Sequence, residues 1–172
     1  MTQSSKQFVF FSDYHLDVHS LASDAQSPEV SKTIGWKESE WNLVSATLKF
    51  DASQPYSSGA ELYAFFNGND LGTVIGWGAW ETGPKSATVD VTGMMRNGSN
   101  SLALKYHINY PALPFQGFTA IASATLEVVL EYIGSGKPPS EPWVTTSNWV
   151  IVAGVAAAAA LITALAVVLV KR

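Results

Sequence analysis

A chain of 172 residues with a net charge of −4 and no cysteine is long enough for one domain and offers no disulfide or thiol chemistry. The eight basic and fourteen acidic residues before Pro142 make that part acidic, which argues against nucleic-acid binding. A secreted animal domain of this kind would often carry disulfides, so their absence points towards a microbial or viral source.

The opening stretch, MTQSSKQFVFFSDYHL, holds an apolar run of only four residues, Phe8 to Phe11. That is too short for a signal-peptide core and no small-residue cleavage site comes after it, so the expectation is a head made without a cleavable signal. Next comes FSDYHLDVH. In a strand Asp13, His15, Asp17 and His19 would project from one face, about 7 Å apart, with Tyr14, Leu16 and Val18 turned inward. Carboxylates and imidazoles are metal ligands, and an i, i+2 pair can share one ion. A row of four needs a neighbouring strand to converge, and the plainer reading is a solvated face whose acids and histidines offset each other.

Strands dominate the remainder of the head. Residues 42–50 alternate, with Val44, Ala46, Leu48 and Phe50 on one face. Glu61 to Phe66 is a second strand, ended by the turn Asn67-Gly68-Asn69-Asp70. The segment IGWGAWETG sets Trp77 and Trp80 among glycines, which suggests a loop with exposed rings. With Trp36, Trp41, Tyr63 and Phe65 these form an aromatic group that would suit sugar rings. The competing reading has them capping a core or meeting a partner protein, since tryptophan is enriched in both places. Ala87 to Val91 alternates again, a short helical turn fits Thr92 to Arg96, and Asn97-Gly98-Ser99 is a glycosylation acceptor if the head enters a glycosylating compartment. Ser101 to Ile108 puts Leu102, Leu104, Tyr106 and Ile108 on one side; Thr125 to Ile133 puts Leu126, Val128 and Leu130 inward and Glu127 and Glu131 outward. Short strands at this spacing, with no helical periodicity over ten residues, predict an antiparallel β-sandwich of jelly-roll type over residues 1–134.

Two phrases carry a family resemblance. AELYAFFNGNDLG at 60–72 and SATVDVTGMMRNGSNSLALKY at 86–106 resemble the strand-turn-strand phrases of galactose-binding-like jelly rolls. Asp90, Val91, Thr92, Gly98, Asn100, Leu102 and Leu104 fill the second pattern, and ATLEVVLEY at 124–132 resembles the closing strand. In local terms Gly98 permits a left-handed turn and Asn100 tolerates one, while Asp90 and Thr92 can bond backbone groups where a strand leaves the sheet. The resemblance implies the sandwich fold and an accessory sugar-binding or structural module rather than a catalyst. A fold alone assigns no function.

Residues 135–148, rich in Gly, Ser and Pro, read as a semi-extended stalk. From Trp149 to Val170 run 22 residues without charge or proline, enough for a helix of about 33 Å, the thickness of a bilayer's hydrocarbon core. This segment reads as a single transmembrane helix, with Trp143 and Trp149 near the interface and Lys171-Arg172 as a basic tip on the inner side. Being last off the ribosome, it would insert after translation. Gly154 and Ala158, among other small residues, would let another helix approach closely.

No catalytic frame stands out: there is no Gly-x-Ser-x-Gly, no His-Glu-x-x-His and no phosphate loop. No cofactor is implied. The first reading is therefore a non-enzymatic, membrane-anchored β-sandwich that acts by contact, with other copies of itself or with other shell or surface proteins. Its layout resembles membrane-anchored jelly-roll structural proteins of viruses with an internal membrane. The alternative is a membrane-displayed carbohydrate-binding module using the Trp77 and Trp80 segment; a metal-dependent enzyme on the Asp13 to His19 stripe is weaker.

Overall fold

Alternation of apolar and polar residues at period two, with no disulfide to supplement it, makes burial between sheets the organising force. A computed structural model describes residues 2–19, 23–54, 58–109, 117–138 and 142–144. Ten strands occur among them: β1 (Gln3–His19), β2 (Asp24–Gln26), β3 (Val30–Trp36), β4 (Trp41–Gln54), β5 (Ser58–Phe66), β6 (Asn69–Ala79), β7 (Gly83–Asp90), β8 (Gly98–Ile108), β9 (Gly117–Tyr132) and β10 (Trp143–Val144). One sheet has the order β1-β9-β4-β7; the other has β10-β3-β8-β5-β6, and β2 also pairs with β8. All pairings are antiparallel.

β2 and β3 lie end to end along one flank of β8, so they act as one strand interrupted at Ser27-Pro28-Glu29. Ser27 bridges the gap: its N–H donates to the Leu104 carbonyl (2.9 Å) and its hydroxyl accepts from the Leu104 N–H (2.8 Å). With that pair counted once and β10 set aside, only the β5–β6 hairpin stays within a sheet, and every other connection crosses to the opposite sheet. This is jelly-roll connectivity. The expected all-β sandwich is present, and the connectivity makes it a jelly roll.

The core lies between the sheets. Leu102, Leu104, Tyr106 and Ile108 from β8 meet Leu126, Val128 and Leu130 from β9, Ala46, Leu48 and Phe50 from β4, and Leu62, Ala64 and Phe66 from β5. These are the inward faces expected from alternation, with one exception. Val44 points outward and is exposed, because a bulge between Leu43 and Ser45 shifts β4 by one residue against β9 and turns Leu43 towards the core instead. Bulges in β1 likewise let the adjacent Phe10 and Phe11 both be buried.

The sandwich has two distinct ends. One gathers the 37–40 turn, the two-residue turn Asn67-Gly68, the Thr92–Met94 3-10 turn, residues 132–138 and β10. The other gathers the end of β1, the start of β2 and the turn at Trp80. At the first end sits Asn100, fully buried. Its Oδ1 accepts from the Arg96 N–H (2.9 Å) and from Asn67 Nδ2 (3.0 Å), and its Nδ2 donates to the Arg96 and Gly98 carbonyls (2.8 and 3.2 Å). Asn67, at φ 51°, also bonds the Met94 carbonyl and the Ser101 N–H. Asn100 is thus a buried fastener between the hairpin turn and β8 rather than a residue tolerated in a left-handed turn; Gly98, at φ 136°, takes the positive φ. Asp90 and Thr92 do cap the strand exit as expected. The Thr92 N–H and hydroxyl both donate to Asp90 Oδ1, and the hydroxyl accepts from the Ala46 N–H.

Residues 142–144 do not trail away from the head as a free stalk over 135–148 would. Trp143 pairs with Trp36 and Val144 with Gly35, the Lys37 N–H donates to the Pro142 carbonyl (3.2 Å), and the Trp143 ring meets Phe8 edge-on at 5.5 Å under Lys6. Trp143 is therefore a docking residue of the sandwich, drawn there by aromatic burial, and not a free interfacial ring. The apolar segment 149–170, with Gly154 and Ala158, lies outside the described residues; among the described ones no helix is long and apolar enough to cross a membrane. A fragment ending at residue 148 should resist urea better than one ending at 140, by about 2 kcal/mol, because the shorter one lacks the Trp143 packing and the two β10 pairings. Equal midpoints would show that β10 contributes nothing to the head.

Candidate functional site

Most of the aromatic group belongs to the core. Trp77 is in β6, not in a loop: Ile75 and Trp77 face inward while Gly76 and Gly78 face outward, in strict alternation. It is 2% exposed, its ring lies edge-on to Tyr106 at 6.4 Å, and its Nε1 donates to the Gly83 carbonyl (3.1 Å). Trp36 and Trp41 are buried too, the latter against Tyr132 at 5.3 Å. These rings were candidates for sugar stacking because tryptophan among glycines looks exposed; a strand with glycine on its outer face gives the same pattern. Tyr63 is half-buried on the outer face of the β5–β8 sheet and donates from its hydroxyl to Glu61 Oε2 (2.7 Å).

Trp80 differs from all of these. It stands 85% exposed at the tip of the β6–β7 turn, with a φ of 71°. A bulky side chain in the left-handed region is strained and persists only where its surroundings hold it. Here they do. Gln54, itself buried, donates from Nε2 to the Glu81 carbonyl (2.9 Å) and accepts the Tyr106 hydroxyl (2.7 Å). The Glu81 carboxylate takes the Gly78 N–H (2.8 Å) and pairs with Lys85 (2.6 Å), whose Nζ also donates to the Gly76 carbonyl (2.7 Å). Lys85, and after it the Gly78 N–H, hold the Glu81 carboxyl below its ordinary pKa. Together with the Trp77 bond to Gly83, these contacts clamp the turn from both sides. The Gln54, Glu81 and Lys85 groups beside Trp80 are thus engaged in holding the turn, while the ring and the neighbouring Thr82 stand exposed.

The Asp13 to His19 stripe is only partly a stripe. His15, Asp17 and His19 are exposed in β1, and Leu16 and Val18 are buried as expected. Asp13 is exposed as well but breaks the regular spacing: it sits in the bulge between Phe11 and Tyr14 at φ 47°, its N–H bonded to Ser123 Oγ (2.9 Å). Among the described residues no three His, Cys, Asp or Glu side chains come together as a metal site. Asn97, the glycosylation candidate, is exposed, but its amide is engaged: Oδ1 accepts the Trp36 N–H and Nδ2 donates to the Trp36 carbonyl, both at 3.0 Å. It extends β3 by imitating a backbone rung.

A polar cluster that sequence reading missed lies near the Trp80 end, on the outer face of β2, β8 and β5. Asp24 Oδ1 meets His107 Nδ1 at 2.7 Å and Lys105 Nζ at 3.3 Å, and Glu61 stands opposite His107 across β5. Burial alone would raise the Asp24 pKa; hydrogen bonds and charge from His107 and Lys105 outweigh it and hold the carboxylate below 3.8. Only the pairing of β2 with β8 joins residues 24 and 107, so no local motif announces them.

No protein-family model matches the chain, and curated proteins give no match. Solved structures do. One is a structure of infectious bursal disease virus Gx strain, with 12% identity over 84% of this chain and 37% of the viral one, at a TM-score of 0.46. Another is the CBM36-1 domain of a multidomain xylanase from the hindgut metagenome of Trinervitermes trinervoides, with 13% identity over 78% of this chain and all of that domain, at 0.39. A third is a family 35 carbohydrate binding module from Clostridium thermocellum, with 6% identity over 70% of this chain and 97% of the module, at 0.36. The chain thus spans little more than a third of the viral chain. The fold assignment rests on the strand connectivity described above.

Trp77→Ala should cost about 3–5 kcal/mol of unfolding free energy. Trp80→Gly should cost nothing and stabilise by up to about 1 kcal/mol, because glycine accepts the positive φ. Chemical denaturation of both variants checks the contrast, and a destabilised Trp80→Gly would show that the exposed ring supports the fold. For Asp24 the folded pKa is depressed, so its contribution to stability is complete above about pH 4 and is lost as pH falls through the folded value. Asp24→Asn should therefore flatten the acid limb of the stability curve below about pH 4. Urea midpoints measured across that range read it directly.

Proposed function

We propose that this chain is a non-enzymatic contact module of a surface or shell assembly, held at a membrane by residues 149–170 and reaching a protein partner with Trp80. The observation that carries the reading is the Trp80 turn: a strained, exposed tryptophan on a clamped hairpin, at the opposite end of the sandwich from Val144, where the described chain ends. Tryptophan anchors of this kind dominate protein interfaces when they fill a pocket on the partner. A turn already rigid loses little freedom on docking, which favours association. The polar hubs of the head support the same reading, since Gln54, Asn67, Asn97 and Asn100 are all bonded to the fold itself.

The anchor reading rests on the sequence of 149–170, which carries no charge over a bilayer-spanning length. In that arrangement Lys171-Arg172 lie on the inner side and the head on the other. Tethering raises the effective concentration of weak contacts, so a modest interface suffices. The carbohydrate-binding alternative also centres on Trp80; the Gln54, Glu81 and Lys85 groups beside the ring are engaged in holding the turn, which favours the protein-contact reading.

Sedimentation of the full-length chain in mild detergent tests the reading. The expected result is a homo-oligomer or a complex with a copurifying partner, reduced to monomer by Trp80→Ala with unchanged thermal stability. A clean monomer from the native source would remove the assembly reading. Glycan-array binding that Trp80→Ala abolishes would put the carbohydrate reading in its place.

A further inference from the structure

We infer that the end of the sandwich bearing Met94, Ile133 and Val144 is a seat that rests on the bilayer surface, so that the head is held against the membrane and not swung on a stalk. The inference rests on the anchor reading above and adds to it a defined face. Three observations carry it. The first is where the described chain leaves the head. Val144 is paired with Gly35 at the edge of β3 and its side chain packs beside Gly35, next to Asn97. From Val144 to Trp149, the first residue of the apolar segment, are five peptide steps, a reach of at most about 17 Å. β8 alone, eleven residues from Gly98 to Ile108, spans about 33 Å from one end of the sandwich to the other. The Trp80 end is therefore out of reach of the segment's start, and the Val144 end is beside it.

The second observation is what this end exposes. Met94, Ile133 and Val144 stand 36%, 50% and 46% exposed, each on a different element. Met94 is in the 3-10 turn, Ile133 comes directly after β9 with its N–H bonded to the Glu40 carbonyl, and Val144 ends β10. At the other end the only exposed large apolar side chain among the described residues is Trp80. The third is charge. Lys37, Arg96 and Lys137 are exposed at the same end, and long basic stems of this kind can lie along an apolar surface while the charge reaches lipid phosphates. Exposed Glu38, Asp70 and Asp90 stand there too, so charge at this end is balanced and the seat would rest on shallow apolar insertion with local headgroup contacts, not on a basic patch.

The chain has no native cysteine, which makes the test direct. Full-length Met94→Cys, Ile133→Cys, Thr82→Cys and Leu161→Cys, each carrying an environment-sensitive fluorophore, are reconstituted into vesicles of phosphatidylcholine with a minority of phosphatidylglycerol. Lipids spin-labelled at the headgroup serve as quenchers, with lipids labelled deep in the acyl chain for Leu161→Cys. The labels at 94 and 133 should lose most of their emission to headgroup quenchers, the label at 82 none, and the label at 161 should respond to the deep quencher. Quenching at 161 with none at 94 and 133 would overturn the seat and leave the anchor standing. No quenching at any position would overturn both. Equal quenching at 82, 94 and 133 would mean a head lying without preferred orientation, which also overturns the seat. Urea midpoints for each labelled variant, matched to the parent, exclude loss of fold as the cause.

Discussion

Burial between the two sheets is the constraint on which the rest depends. With no disulfide and no metal cluster among the described residues, the apolar side chains turned inward by period-two alternation must supply the stabilising force. That demand draws in six large rings near the middle of the chain, Trp36, Trp41, Phe50, Phe66, Trp77 and Tyr106, while Tyr63 and Phe65 stay half-buried. It also accounts for the return of Trp143 to the edge of β3, where its ring meets Phe8. Against this background Trp80 is the exception that needs a reason. The chain keeps it outside and accepts a positive φ to do so, while Gln54, Glu81 and Lys85 hold the turn.

The asparagines at the Val144 end serve a second purpose that arises from the first. A jelly roll crosses between its sheets at each end, and each crossing leaves backbone groups that must find partners. Asn67 and Asn100 meet these needs for the β5–β6 turn and the start of β8, Asn97 for the end of β3, and the Asp90–Thr92 pair for the exit of β7. The phrases that resemble galactose-binding-like jelly rolls fall on these same residues. In this chain they have an architectural part: the Asn-Gly turn and the Gly-x-Asn start of β8 are bonded to each other through Asn67 and Asn100.

Much of the fold was legible from alternation, and the parts that were not have physical causes. β8 and β9 are regular, so Leu102 to Ile108 and Leu126 to Leu130 face where period two puts them. Bulges insert a residue without a clear compositional mark, so Val44 leaves the inward face that period two gives it, and Asp13, though exposed as expected, falls in a break of the ladder. In β6 the sequence alternates Ile75 and Trp77 with glycine, and that phase sets Trp77, in register with Ile75, apart from Trp80, out of it. The Asp24–His107–Lys105 cluster and β10 depend on pairings between residues far apart in the chain, which no local pattern encodes.

These features give the sandwich a polarity. Its Val144 end holds the asparagine fasteners, the returning strand β10 and a scatter of apolar and basic side chains; its other end holds a single rigid aromatic tip. A module that only filled space would gain nothing from a strained tryptophan, and a flexible display domain would gain nothing from a C-terminal strand zipped to its own edge. Docking β10 fixes the chain to the head as far as Val144, so the described chain ends on the sandwich edge and not on a free stalk. The two ends of the jelly roll, about one β8 length apart, are thus built on different terms: one is closed by asparagine fasteners and a returning strand, the other carries a tryptophan on a turn clamped by Gln54, Glu81 and Lys85.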